Sequence, residues 1–290
     1  MAAVTASMVK ELRELTGLGM MDCKKALTEA DGDMDQAVEV LRRSSALKAA
    51  KKADRTAAEG LLGLRVADDG SSAVLVEVNI ETDFAARNEK FIEFVGRVRD
   101  VAFEKRAKDV VALLAGGLDA ERQALVQAIG ENITVRRVAL LNAPGGRVFS
   151  YLHPDNRKGA VIAIVGGDDE LGRDLAMHVT AINPMVVSGA DVPADVVAKE
   201  REIFTAQAAD SGKPADIVAK MVEGRVRKYL AEVSLLDQPF VKDADMRVGQ
   251  LLKQKSARCT GFVRYEVGEG IEKVETDFAA EVAAQVKGQG

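Results

Sequence analysis

The side chains able to do bond chemistry are few: two histidines, His153 and His178, and two cysteines, Cys23 and Cys259, in 290 residues. Two cysteines can build neither a disulfide framework nor a zinc site of paired Cys-x-x-Cys ligands. The histidines lie far from any serine-centred motif, so no nucleophile, base and orienting group can be nominated together. No G-x-x-x-x-G-K-[ST] loop occurs, nor G-x-G-x-x-G after a strand, so the chain is not expected to hold a nucleotide itself. No cofactor and no metal of its own are expected. What remains is recognition chemistry. Glu81-Thr82-Asp83-Phe84-Ala85-Ala86-Arg87-Asn88 joins a strand to a long helix, with Thr82 or Asp83 able to cap that helix. Phe84 falls in its first turn and has two fates: it packs back onto the preceding hairpin, or it stands off the corner as an anchor for a partner's pocket. The neighbours Met20 and Met21 cannot both face the core of a small helical module. At least one is expected at the surface, where a flexible thioether suits an adaptable protein contact. Tyr151-Leu152-His153-Pro154 ends a strand in a loop, where a lone histidine ordinarily finds one hydrogen bond. The hexamer Glu275-Thr276-Asp277-Phe278-Ala279-Ala280 repeats the first corner's letters, but Phe278 is expected to dock a final helix onto the protein.

Those residues must be positioned by ordinary globular elements. An apolar share of 47 % with 29 % charged residues is too apolar for disorder and too charged for a membrane protein. No run approaches the ~18 apolar residues that span a bilayer. The start, MAAVTASMVKEL, lacks a basic-then-apolar signal, so a cytoplasmic protein is expected. A net charge of −5 and the absence of Trp argue against direct nucleic-acid binding. The composition points to a protein that handles other proteins.

The periodicities predict an α+β fold. Three short helices are expected within 1–45: one capped by Thr5 and broken at Thr16-Gly17-Leu18-Gly19, a second from about Met20 to Ala30, and a third through Met34, Ala37, Val38 and Leu41. The stretch 46–59 reads as a linker, solvated and Ala- and Lys-rich over Leu47–Arg55, with a helical course left open. A core unit at 60–142 has the order strand, strand, helix, helix, strand, with one helix expected from Thr82 to Lys105. A second unit at 143–190 and 235–268 repeats that order, interrupted at 191–234 by an antiparallel helical hairpin whose turn is Ser211-Gly212-Lys213-Pro214. Residues 269–290 carry the final helix.

Read together, ELRELTGLGMMDCKKAL at 11–27, TDFAARN at 82–88, IGENITVRR at 129–137, SGKP at 211–214, QPFV at 238–241 and EVGEGIEKVETDFAAEVA at 266–283 resemble the bacterial elongation factor Ts family over nearly the whole chain. The resemblance implies a ubiquitin-associated-like N-terminal module, two core subdomains, a coiled-coil hairpin and a C-terminal module. It further implies a guanine-nucleotide exchange factor, with no covalent chemistry, whose partner is the GTPase elongation factor Tu. By the same resemblance Thr82, Asp83, Phe84 and Ala85 form the segment that enters the GTPase and dislodges its Mg²⁺, Phe84 being the wedge. Met20, Met21, Lys24 and Lys52 match contacts of the N-terminal module. Ile129, Gly130 and His153 match contacts of the core, and the last helix matches a secondary contact. One departure is visible: the family motif commonly reads TDFV, and here Ala85 removes two methyl groups. Two rival readings are a binding adaptor that leaves its partner's nucleotide untouched and a metabolic enzyme on the same α+β core.

Overall fold

A computed structural model of the protein describes residues 4–209 and 214–272. The final helix, its Phe278 and most of the hairpin turn fall outside the described residues. Helix α1 (Ala6–Thr16) starts where the Thr5 hydroxyl accepts the Met8 N–H at 3.3 Å and stops at Gly17, whose φ of 69° a side chain would resist. Helices α2 (Met20–Glu29) and α3 (Met34–Ala50) complete the module around Leu12, Cys23, Leu27, Ala37 and Leu41. Of the two courses open to the stretch after the apolar stripe of α3, the helical one holds, and its inward face is buried rather than solvated. The alanine-rich sequence holds no Gly or Pro to stop it, and the helix continues to Ala50. On that extension the Ser45 hydroxyl donates to Gln127 Oε1 at 2.7 Å, and Ala49 is buried in the neighbouring core.

The chain then builds two antiparallel sheets of three strands. The first is β1 (Glu59–Val66), β2 (Ser72–Ile80) and β3 (Ile133–Asn142), in that spatial order. Between β2 and β3 run α4 (Asp83–Ala86), α5 (Glu89–Glu104), α6 (Val110–Leu114) and α7 (Leu118–Ile129). The second sheet holds β4 (Arg147–Leu152), β5 (Lys158–Val165) and β8 (Arg258–Glu266), with α8 (Asp169–Ile182) after β5. Both middle strands carry an irregularity against their third strand, at Glu77/Val78 and at Ala163/Ile164. The expected pseudo-repeat is therefore visible even in its bulges.

Period-2 alternation decides the layering. Val74, Val76, Val78 and Ile80 face Phe91, Phe94, Val98 and Val126 of the helices. Ala73 and Leu75 face the second sheet, where Val161, Ala163 and Val267 meet them. The opposite face of that sheet presents Ala160, Ile162 and Ile164 to Leu175 and Val179 of α8. Helix, sheet, sheet and helix thus stack, and β2 is buried along its whole length. Each fully buried Val or Leu there contributes roughly 1.5–3 kcal/mol. At one end of the seam Glu77 is wholly buried, accepting from Arg136 at 3.1 Å, from Arg137 and from the Gly268 N–H at 2.9 Å.

The insertion consists of α9 (Ala194–Ala209) and α10 (Ala215–Val233), packed through Phe204, Ala208, Val222 and Val226. Beyond it lie a short pair, β6 (Pro239–Phe240) with β7 (Asp243–Arg247), and α11 (Val248–Gln254). Neither that pair nor α6 was long enough to register as periodicity. In the second core His178 is fully buried, bonded to Gln238 Oε1 at 2.9 Å through Nε2 while Nδ1 accepts the Val241 N–H at 3.2 Å. Since Nδ1 accepts, Nε2 carries the proton, and the ring is neutral. Burial lowers its pKa, against a smaller upward pull from Gln238. No helix among the described residues is long and apolar enough to cross a membrane.

Candidate functional site

The corner after β2 is built by two caps in quick succession. Thr82 leaves the strand in extended conformation, and its hydroxyl accepts the Ala85 N–H at 3.2 Å, which opens the single turn of α4. Six residues on, Asn88 is extended again and caps α5 through its own side chain, accepting the Lys90 N–H at 3.0 Å. The expected continuous helix from Thr82 to Lys105 is therefore two helices. Asparagine competes with the helix by bonding its own backbone, so the chain restarts there. In the single turn Ala86 faces the core and Ala85 packs partly against it. Phe84 is left on the outer side with 81 % of its surface exposed. Of its two possible fates, the exposed one holds. Asp83 pairs with Arg87 at 3.2 Å along the same turn.

A loop at the end of α7 buttresses the corner. Gly130 ends that helix with φ of 89°, and its N–H returns to Val126 O at 2.9 Å. Its carbonyl accepts from the Lys52 ammonium. Next, Glu131 takes the Thr82 N–H on Oε2 at 3.0 Å and the Thr82 hydroxyl on Oε1 at 2.8 Å. Asn132 is buried; its N–H meets Glu81 Oε1 at 2.6 Å, and its amide donates to Ala53 O and Arg55 O at 3.2 and 2.8 Å. Arg55 also lies 3.6 Å from the Glu81 carboxylate.

Sheet register explains why sequence-distant candidates gather here. Glu59 pairs with Ile80, and Ile80 with Ile133, so the corner, the 130–132 loop and the start of β1 occupy one end of the sheet. The loop carrying His153 reaches the same end: Asn156 O accepts the Leu62 N–H at 2.7 Å, and Arg157 pairs with Glu59. The His153 ring is exposed and lies 2.9 Å from Asp155. Partial burial pushes the Asp155 carboxyl upward, but the Arg157 N–H and the His153 ring outweigh it and hold the group below its usual range. The N-terminal module arrives from the other side, where Lys90 donates to Gly17 O at 2.8 Å. An open cleft of about 830 Å³ between them is lined by Met20, Arg87, Asn88 and Ile129, among others. Met20 and Met21 are both exposed, at 53 % and 77 %. Lys24 lies exposed on α2, away from that cleft's lining.

The expected residues thus divide. Phe84, Met20, Met21, Lys24 and His153 present free surface; Lys52 and Gly130 hold one another. Glu81, Glu131 and Asn132 fix the corner, and none of the three stands among the expected site residues. For Glu131 and Asn132 the one local signal is a pair of polar residues directly after a helix-ending glycine, whereas Glu81 opens the corner motif itself. Among the described residues no three His, Cys, Asp or Glu side chains are grouped to hold a metal ion.

Comparison with known proteins bears on what this surface meets. A family model described as elongation factor Ts matches residues 81–269. The elongation factor Ts of Hahella chejuensis is 60 % identical over 288 residues, spanning 99 % of this chain and 100 % of that one. That of Saccharophagus degradans is 61 % identical across 98 % of both chains. The Methylococcus capsulatus protein of the same name is 54 % identical over 98 % of this chain and 99 % of its own.

Proposed function

The chain belongs to the elongation factor Ts family, and from that premise we propose that it is the guanine-nucleotide exchange factor of elongation factor Tu, acting through the Thr82-Asp83-Phe84-Ala85 corner. The observation that carries this reading is an aromatic ring 81 % exposed on a corner held by two caps and a carboxylate. A large apolar side chain kept in water on a stiff mount is an anchor awaiting a pocket. Phe84 enters the GTPase as a wedge, and Asp83 supports the contact. Their entry displaces the groups that hold the GTPase's Mg²⁺, which belongs to the partner and not to this chain.

Met20, Met21 and Lys24 make the N-terminal module's contact, and Lys52 adds a weaker one. Ile129, Gly130 and His153 add core contacts, and the C-terminal segment a secondary one. The protein works in the cytoplasm on a protein partner, without direct engagement of nucleic acid or membrane. No covalent bond is made or broken. A factor that prefers the nucleotide-free GTPase must, by reciprocity, weaken GDP by the same ratio. Each tenfold of weakening requires about 1.4 kcal/mol of differential binding. A buried aromatic anchor supplies about 2 kcal/mol or more, before the lost Mg²⁺ coordination is counted.

Turnover tests the reading. With elongation factor Tu–GDP in large excess, a trace of this protein is expected to release GDP from many GTPases per molecule. An adaptor would release at most one equivalent, and that result would refute exchange activity.

A further inference from the structure

We propose that Glu131 is the positioning residue of the exchange corner, aiming Phe84 through Thr82; the inference rests on the reading that Phe84 drives exchange. A helix of four residues such as α4 cannot hold itself, because nucleation costs more than one turn of hydrogen bonds returns. Its direction must be imposed from outside, and Thr82 is where that happens. The Thr82 hydroxyl has one hydrogen and two lone pairs. The hydrogen is directed to Glu131 Oε1 at 2.8 Å, which turns the lone pairs toward the Ala85 N–H at 3.2 Å. The same carboxylate takes the Thr82 N–H on its other oxygen at 3.0 Å. One side chain therefore fixes both the backbone and the rotor of the capping residue, and the two bonds through the hydroxyl reinforce each other.

The mount of Glu131 is itself rigid. Gly130 before it is in the left-handed region with its carbonyl held by Lys52, and Asn132 after it is buried with three hydrogen bonds. Glu131 itself is only half-buried, and its carboxylate is engaged by Thr82. Its loss removes two hydrogen bonds to Thr82 and is expected to free the corner. A wedge misplaced by about 1 Å can lose a large part of its effect, because the pocket it must enter does not move with it.

The experiment measures GDP release from elongation factor Tu against concentration of the full-length protein, which separates the plateau rate from the half-saturating concentration. Glu131→Ala is expected to lower the plateau about tenfold while half-saturation stays within about twofold. Glu131→Gln keeps one acceptor oxygen for Thr82 and is expected to fall between Ala and wild type. The pair Phe84→Ala/Glu131→Ala is expected to be no slower than Phe84→Ala alone, since an absent wedge needs no aiming. A wild-type plateau for Glu131→Ala beside a slow Phe84→Ala would overturn the positioning role and spare the wedge. Wild-type plateaus for both would show the wedge reading to be at fault and take this inference with it. A change confined to half-saturation would make Glu131 a binding residue and also overturn the proposal. Should Glu131→Ala not fold, Glu131→Gln decides: a reduced plateau at unchanged melting temperature supports the proposal, and a wild-type plateau overturns it.

Discussion

The two core units turn the same corner in two ways. After β2, Thr82 caps a helix of one turn; after β5, Asp168 caps α8, accepting the Leu171 N–H at 2.8 Å. Each capping side chain is gripped by a distant group, Thr82 by Glu131 and Asp168 by Lys255 at 2.8 Å. The second residue of the helix is Phe84 in one case and Glu170 in the other. There the likeness ends. Helix α8 runs unbroken for 14 residues and is fixed by its own apolar face on the sheet. Helix α4 stops after four and depends on its clamps. An exposed carboxylate on a self-supporting helix is ordinary surface. An exposed aromatic on a turn held by other parts of the chain is what the proposed exchange role calls for. The two units thus offer equivalent positions after their middle strands, and an exposed aromatic stands at only one of them.

Moving the aromatic is the severest way to break this comparison. The double variant Phe84→Ala/Glu170→Phe restores the count of rings but not their mount. It is expected to remain as slow in GDP release as Phe84→Ala, a loss of about thirtyfold if the ring is worth ~2 kcal/mol; recovery would mean that any exposed ring suffices. Removing the caps gives a smaller effect that separates the corners. Thr82→Ala is expected to lower the plateau about fivefold, the equivalent of one cap of ~1 kcal/mol. Asp168→Ala is expected to leave exchange unchanged and to lower the melting temperature slightly, as calorimetry beside the exchange assay would show.

The smallest effect is one of pH and belongs to the second unit alone. Burial holds the His178 pKa below its ordinary value of 6.5, so the unfolded chain binds the proton first as pH falls. The stability that the neutral ring confers is whole above about pH 6.5 and declines below it, until the folded form also protonates. Only one other histidine, His153, is present, and it is exposed. Melting temperatures taken between about pH 7.5 and 5.5 are expected to decline in the wild type and to decline less in His178→Asn.

Local rules carried much of this architecture. Strands showed in the sequence because both sheets alternate between a helix-facing and a sheet-facing side, and Thr5 and Thr82 announced helix starts by residue type. Elements of two to five residues, such as β6 and α6, lie below what any period can reveal. The burial of the end of α3 was hidden, though a helical course there was open, because its inward face is made of Ser45 and Ala49, small residues that read as solvent-facing. At the site, Phe84 was visible as a candidate, but its exposure was not. That depended on Ala86 taking the inward position and Asn88 ending the helix before a second turn. Glu131 was beyond reach for a plainer reason: 49 residues separate it from Thr82, and only the pairing of β2 with β3 brings the two together.

The central claim is that Phe84 on its clamped corner drives nucleotide release. It is tested most directly by stopped-flow release of a fluorescent GDP from elongation factor Tu, followed to saturation with wild type and Phe84→Ala. A plateau at least about tenfold lower is expected for Phe84→Ala, with complex formation still detectable. An unchanged plateau would contradict it.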